Sequence, residues 1–152
     1  TTRVGYGLIK KESVKLKLLK SGLLKVKAKN KTGRLLELEQ SLQKLLKSDR
    51  PDLVALEKLY FMKNQKTGLE VAEARGVLIL NAVKAGLPII EYSPSQIKNA
   101  ITGYGLANKA AVSRMCAKIL NIDKIKGLDD ISDALAVAIT ASNKNPSQHL
   151  TV

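Results

Sequence analysis

Apolar and polar residues alternate with a period of two near the start of the chain and with helical spacing further on. The stretches Lys15-Leu16-Lys17-Leu18 and Lys25-Val26-Lys27-Ala28-Lys29 have the period of two, which places apolar groups on one face of a strand and lysines on the other. Short connections between such stretches are typical of an antiparallel meander. The pattern therefore predicts three antiparallel strands, at residues 4–11, 14–20 and 23–29.

The remainder of the chain is predicted to alternate helices with short buried strands. Leucines at helical spacing predict a helix over residues 34–47, and Gly86 is the expected C-cap of a second helix over residues 68–84. Continuous apolar runs predict buried strands at residues 52–59 and 89–92. Further helices are predicted at 95–101, after Pro94 at the first helical position, and at 107–120 and 131–142. The order predicts one α/β domain over residues 1–152, with a mixed five-stranded sheet flanked by helices.

Composition narrows the class of protein. Hydrophobic residues make up 45% of the chain and the mean hydropathy is −0.05, as in water-soluble globular proteins. The apolar runs are far shorter than the roughly 18 to 20 residues that cross a bilayer, so we expect no membrane partner. The lone cysteine, Cys116, excludes an intrachain disulfide and a site built from several thiolates. It fits a reducing compartment, and a cytoplasmic location is expected.

Charge indicates a polyanionic partner. Among 152 residues, 26 are Lys or Arg and 13 are Asp or Glu, which gives a formal net charge of +13. Residues 1–34 hold eleven of the basic side chains and one acid, so most of the excess lies near the start of the chain. Lysines that neutralise phosphates release counterions, which makes nucleic acid the leading partner class. The lysines of the predicted strands have two interpretations, a solvated face that protects a sheet edge or a direct contact with nucleic acid.

Three acidic residues stand out in this basic chain. Glu57 lies near the carboxyl end of a predicted buried strand, where a carboxylate must be paired, solvated or bound to a cation. Asp130 and Asp133 share one face at the start of the last predicted helix. Pairing with a lysine is the alternative for Glu57, and helix capping is the alternative for the two aspartates. If the three converge, they form a hard oxygen site suited to Mg²⁺ or Mn²⁺. Metal-assisted phosphodiester cleavage is then the expected reaction.

Five segments of the chain resemble the RuvC-type Holliday junction resolvases of bacteria. The most specific is Glu57-Lys58-Leu59-Tyr60-Phe61-Met62-Lys63-Asn64, which carries the pattern Glu-x-x-Tyr/Phe-Phe-x-Lys-Asn. The start of the last predicted helix, Asp130-Ile131-Ser132-Asp133-Ala134, is shared with other ribonuclease-H-like proteins and is weaker by itself. The matching segments occur in the order of the family and at its spacing, at residues 3–9, 56–64, 73–77, 92–98 and 130–138.

The resemblance implies a ribonuclease-H-like fold and a homodimeric endonuclease that nicks two opposed strands of a four-way DNA junction. It assigns Glu57, Asp130 and Asp133 to a site for two catalytic Mg²⁺ ions, with Mn²⁺ as the other option. It further implies a branch-migration helicase as a partner. Tyr60 takes the place of an aromatic that stacks on an unpaired base, with core packing as the alternative for Tyr60 and Phe61. The remaining candidates for contact with DNA or its phosphates are Phe61, Lys63, Arg75, Lys98 and Lys109, of which the last two are also expected to act in catalysis.

The chain departs from the family at its beginning. The family has Ile-Asp-Pro-Gly at the end of its first strand, directly before the residues that match Thr1 and Thr2, and this Asp is a principal metal ligand. We expect the molecule to have these residues ahead of the printed sequence. If it lacks them, the expected function is DNA binding without efficient cleavage, by an inactive protein of the same fold. A basic RNA-associated protein without a metal site is the remaining alternative.

Overall fold

The computed structural model of the protein describes residues 3–60 and 64–143. Each predicted helix is confirmed, as are the predicted strands other than the third. Within these residues, no helix is long and apolar enough to cross a membrane. The elements, in chain order, are β1 Gly5–Glu12, β2 Lys15–Leu23, α1 Lys31–Asp49, β3 Val54–Glu57, α2 Gln65–Lys84, β4 Ile89–Tyr92, α3 Pro94–Thr102, α4 Lys109–Ile119 and α5 Asp129–Ser142.

Local sequence explains where most of the helices begin. Asn30, Asn64, Ser93 and Asn108 stand immediately before α1 to α4, and each side-chain oxygen accepts a hydrogen bond from a backbone N–H of the first turn. Such caps satisfy N–H groups that have no partner inside the helix. α5 differs, because it follows Leu128 and has no side-chain cap.

The prediction of a third antiparallel strand after β2 was wrong. Beyond Leu24, whose N–H donates to the Val4 carbonyl oxygen over 2.9 Å, residues 24–30 form no strand ladder. Helix α1 supplies their partners instead, since the Glu37 carboxylate accepts from the N–H groups of Lys27 and Ala28 at 2.5 and 2.9 Å. A period of two in the sequence requires extended backbone, and side chains of a helix can satisfy such a backbone as well as a strand can.

The prediction of one continuous five-stranded sheet was also wrong for the described residues. β1 pairs antiparallel with β2, β3 pairs parallel with β4, and the two pairs form separate two-stranded sheets. A cleft of about 1030 Å³ lies where β1 and β3 face each other. The other walls come from α5, through Ala134, Val137, Ala138 and Ala141, and from α1 and α2, through Leu42, Leu45, Leu46, Val71 and Leu78.

Helices pack on both faces of β1, and this packing holds α5 beside the cleft. Tyr6 joins a cluster with Leu38, Leu42 and Ala74 of α1 and α2. The neighbouring position, Gly7, faces the other way, where a Cβ atom would come within 2.5 Å of the Leu135 side chain of α5. A side chain at Gly5 would meet the Asp130 carbonyl in the same manner. The glycines of β1 therefore allow α5 to lie directly against the strand, with its acidic first turn at the start of β1.

Candidate active site

The carboxyl end of β3, the start of β1 and the first turns of α5 meet at one end of the cleft. Glu57 is the last residue of β3, and the register of the parallel pair sets it beside Tyr92, the last residue of β4. Asp130 and Asp133 come from α5, and all three carboxylates line the cleft. We call this end the acidic mouth, defined by Glu57, Asp130 and Asp133. Carboxyl ends of strands are where open α/β sheets bind ligands.

Neighbouring atoms disfavour the ionised form of Glu57. Partial desolvation raises the pKa of its carboxyl, and the negative charge of Asp133 raises it further. The positive charges of Lys109, Lys98 and Arg75 lower the pKa, but they do not cancel the other two effects. Glu57 and Asp133 thus lie near enough to repel each other. An anionic pair of this kind is stabilised by a nearby cation.

The aspartates of α5 are held by basic side chains. The Lys109 ammonium donates to Asp133 Oδ2 at 3.1 Å, and this hydrogen bond is the main cause of a raised Lys109 pKa. Arg3 Nε lies 3.9 Å from Asp130 Oδ2. Neither aspartate caps α5, because the helix has no side-chain cap bond. The hydrogen-bonding part of the capping alternative was therefore wrong, whereas Asp130, in the first turn of α5, still interacts favourably with the helix dipole.

Arg75 reaches the site from behind the parallel strands. Its side chain is 17% exposed. One guanidinium nitrogen donates to the Glu57 carbonyl oxygen at 2.6 Å, and the other lies 2.5 Å from a Glu91 carboxylate oxygen. Arg75 therefore ties the end of β3 to β4. Glu91 was not among the residues predicted from the sequence, although a charged residue inside a short apolar strand is a usable signal.

Tyr60 follows β3 by three residues and is 58% exposed. Core packing, the alternative for this residue, was therefore wrong. Its ring is therefore accessible for stacking. Phe61 and Lys63, the neighbouring candidates, lie outside the described residues.

Comparison with known proteins identifies the family. A family model described as crossover junction endodeoxyribonuclease RuvC matches residues 1–141. The chain belongs to the RuvC family. A RuvC from Ruminiclostridium cellulolyticum is 44% identical, over 93% of this chain and 86% of that protein. A RuvC from Syntrophomonas wolfei is 41% identical, over 91% of this chain and 81% of that protein.

Solved RuvC structures share the fold. The structure of T. thermophilus RuvC in complex with Holliday junction substrate has a TM-score of 0.86 and 29% identity to this chain. The match covers 93% of this chain and 87% of that one. The Thermus thermophilus RuvC structure has a TM-score of 0.80, and it covers 91% of this chain and 86% of that one. The predicted ribonuclease-H-like α/β class is confirmed by this similarity.

Membership of the RuvC family implies dependence on a divalent metal ion in general. Oxygen donors at the acidic mouth suit such an ion, and the repulsion between Glu57 and Asp133 is of the kind that a cation relieves. The donor set is not complete, however. Across residues 3–60 and 64–143, no group of three or more acidic, His or Cys side chains is close enough to hold a metal. The chemistry of the mouth fits a metal, but within the described residues Glu57, Asp130 and Asp133 do not lie close enough together to hold one among themselves.

Proposed function

We propose that this RuvC-family protein is a structure-specific endonuclease that resolves four-way DNA junctions by nicking two opposed strands. The observation that carries the proposal is the acidic mouth, where Glu57 and Asp133 repel each other while Lys98 and Lys109 stand close enough to offset their charge. Carboxylates for a metal and ammonium groups for a phosphate are both needed at a site that cleaves a polyanion.

The acids of the mouth and the lysines beside it have different proposed ligands, a metal for the acids and a phosphate for the lysines. Glu57, Asp130 and Asp133 would hold the metal, for which Mg²⁺ is the expected ion, with two ions per site. Bound there, the metal would activate a water and stabilise the leaving oxygen of the phosphodiester. Lys98 is half-buried on α3, so its ammonium is restricted in position. Lys109 is more exposed and must leave Asp133 to reach a phosphate. We assign phosphate binding to both lysines.

The cleft supports a further part of the proposal. The edges of β1 and β3 that line it each lack a strand partner within the described residues, and α5 presents small side chains between them. A buried strand edge needs hydrogen-bond partners, and one strand placed in the cleft would supply them to both sides. We propose that a strand ending in the family's Ile-Asp-Pro-Gly occupies the cleft. Its aspartate would complete the ligands at the mouth.

Cleavage of a synthetic four-way junction tests the proposal. The protein with the Ile-Asp-Pro-Gly strand attached ahead of Thr1 is expected to make paired symmetric nicks in Mg²⁺, whereas residues 1–152 alone should bind the junction and nick it poorly. Glu57→Gln in the extended protein should lower the rate by about a thousandfold, which corresponds to about 4 kcal/mol of transition-state stabilisation.

Glu70→Gln is the matched control, because Glu70 lies on α2 away from the mouth. Its cleavage rate should equal that of the unchanged protein. Binding of the junction without nicks by the extended protein would refute the endonuclease and favour an inactive nucleic-acid-binding protein.

Homodimerisation is the next part of the proposal, and α2 provides the surface. Leu69, Leu80 and Val83 are 64%, 52% and 60% exposed, and with Gly76 they share one face of the helix. A Cβ atom at Gly76 would meet no atom within 4 Å, so this face is open to close approach. A symmetric pair of α2 helices would give one site for each of two opposed strands.

Leu80→Glu should convert the dimer to a monomer, because it places a charge in the centre of an apolar contact. Sedimentation velocity at micromolar concentration measures this change. Leu106→Glu is the control, since Leu106 is 78% exposed and lies outside α2. A Leu80→Glu protein that stays dimeric would exclude this surface. The helicase partner, which rests on the resemblance, and the cytoplasmic location, which rests on the lone cysteine, stay predictions.

A further inference from the structure

Residues 24–30 run beside α1 with a backbone that is anchored along its length. The Ser41 hydroxyl donates to the Lys25 carbonyl oxygen at 2.7 Å. The Glu37 carboxylate accepts from the N–H groups of Lys27 and Ala28. At the end of the segment, Asn30 caps α1 by accepting from the Gly33 N–H at 2.6 Å. Helix α1 therefore fixes the course of this segment.

Side chains of the segment alternate between inside and outside. Leu24 is buried and Val26 packs with it against Leu38 and Leu42. Lys25, Lys27 and Lys29 are exposed, and we call these three the lysine ribbon. Among the described residues, no carboxylate lies within 4.0 Å of any of the three ammonium groups. Glu37, whose charge acts on Lys27, is already engaged with backbone N–H groups. The ribbon thus holds three positive charges without a direct ion pair.

The ribbon begins at the same end of the molecule as the acidic mouth. Leu24 is hydrogen-bonded to Val4, and the preceding residue, Arg3, forms the ion pair with Asp130. A polyanion that approaches the mouth therefore passes close to the ribbon. The mouth itself repels a phosphate backbone, so affinity must come from positive charge placed beside it.

We propose that the lysine ribbon binds the phosphate backbone of one duplex arm of the junction. Alternate residues of an extended segment lie about 6.6 Å apart, so the three ammonium groups can follow successive phosphates along a strand. Contacts of this type carry no sequence information and act on any duplex. The proposal rests on the proposed function, because it takes the DNA junction as the ligand.

Salt dependence of binding tests the ribbon directly. The probes are a four-way junction and a linear duplex with the sequence of one arm, titrated in EDTA between about 50 and 200 mM salt. The triple variant Lys25→Gln, Lys27→Gln, Lys29→Gln should lower affinity for both probes by about 10- to 30-fold at about 100 mM salt. The plot of the logarithm of the association constant against the logarithm of the salt concentration should become less steep by up to about 2.7, at about 0.9 per phosphate contact. The triple Lys→Arg variant should retain both affinity and slope.

The matched control removes an equal charge elsewhere. Lys15, Lys17 and Lys44 are exposed, and the first two lie at the turn of the β1–β2 hairpin, opposite the mouth. The Lys15→Gln, Lys17→Gln, Lys44→Gln protein should bind like the unchanged protein. An equal loss in this control, or an unchanged slope in the ribbon variant, would overturn the proposal. A larger loss on double-stranded RNA than on DNA would overturn it as well.

Folding and function are separated by two further measurements. If the triple ribbon variant does not fold, judged by its thermal unfolding, Lys27→Gln alone should still lower the slope by about 0.9. An unchanged salt slope in the ribbon variant, together with cleavage of junctions by the extended protein, would refute the role of the ribbon and leave the endonuclease proposal standing. Absence of cleavage by the extended protein, together with weaker binding of both probes by the ribbon variant, would refute the endonuclease proposal and leave the role of the ribbon standing.

Discussion

The acidic mouth and the lysine ribbon have opposite charges, but in both a side chain from a helix binds the backbone of the charged residue. Arg75 donates to the carbonyl of Glu57, and Glu37 accepts from the N–H of Lys27. In each place a helix supplies a charged side chain that binds the backbone of the functional residue. The functional side chain is therefore left available for a ligand, while its attachment point is fixed.

The two regions differ in how their own charges are balanced. At the mouth, Asp133 pairs with Lys109 and Asp130 with Arg3, and the carboxyl of Glu57 has a raised pKa. In the ribbon, no lysine has a direct ion pair with a described carboxylate. Chemistry at a phosphodiester requires groups in fixed positions, whereas attraction of a polyanion requires only exposed charge. The difference is consistent with the two roles proposed above, cleavage for the mouth and affinity for the ribbon.

After Glu57→Gln, Tyr60→Ala has the largest effect expected on cleavage. Loss of one stacked base costs about 1–3 kcal/mol, so cleavage of the junction should fall by about 5- to 150-fold. Binding to linear duplex should not change, because a plain duplex offers no unpaired base. Tyr104→Ala is the control, since Tyr104 is 60% exposed and lies outside the mouth. Single-turnover cleavage and duplex titration measure the two effects, and an unchanged cleavage rate would remove Tyr60 from the mechanism.

Arg75→Ala is expected to have a smaller effect, also confined to cleavage. Without the guanidinium, the end of β3 keeps its strand pairing with β4 but loses the side-chain contact that joins Glu57 to Glu91, and Glu57 is less well positioned. Outer partners of metal ligands contribute about 10- to 100-fold, so we expect cleavage to fall by about tenfold. Higher Mg²⁺ should partly restore the rate.

Junction binding in EDTA distinguishes positioning from the predicted DNA contact of Arg75. A positioning residue leaves the salt slope unchanged, whereas a phosphate contact would lower it by about 0.9. Glu91→Gln should reproduce a weaker form of the Arg75→Ala defect, because it removes the other half of the ion pair. Normal cleavage by Arg75→Ala would refute the positioning role.

Glu37→Gln should give the smallest effect, and it acts on the ribbon. The N–H groups of Lys27 and Ala28 lower the pKa of the Glu37 carboxyl, and the charge of Lys27 adds to this. A lowered pKa stabilises the fold above the ordinary range of a glutamate, and this stabilisation is lost as the pH falls through the folded-state pKa. At neutral pH, the variant should bind duplex about two- to fivefold more weakly, because the ribbon is less ordered.

Thermal unfolding from neutral to acidic pH measures the other consequence. The unchanged protein should be more stable than Glu37→Gln at neutral pH, and the difference should disappear as the pH falls. Glu12→Gln is the control, since Glu12 accepts no backbone hydrogen bond in the described structure and pairs only with Lys10. A pH-independent difference would show that the Glu37 charge is not responsible.

The sequence by itself determined the helices, four of the five predicted strands and the family. Helical spacing of leucines is a local signal, since a helix depends on contacts between residues close in the chain. Gly86 is another, although it follows the C-cap of α2, Ala85, with a φ of 70°, and is not itself the predicted cap. Glu57, Asp130 and Asp133 were found from the position of acids at element ends, and their place at one cleft agrees with that interpretation. Resemblance supplied the roles of Tyr60, Lys98 and Lys109.

Tertiary structure decided where the backbone and the charges find partners. The segment with Lys25, Lys27 and Lys29 has the period of a strand, yet α1 supplies partners for its backbone, because the Glu37 carboxylate accepts from the N–H groups of Lys27 and Ala28. Arg75 was predicted to contact DNA, and the fold places it against Glu57 and Glu91. Such pairings join residues of different elements, 9 to 18 positions apart in the chain. A local pattern specifies which face is apolar, and only the packed molecule specifies which atom lies opposite.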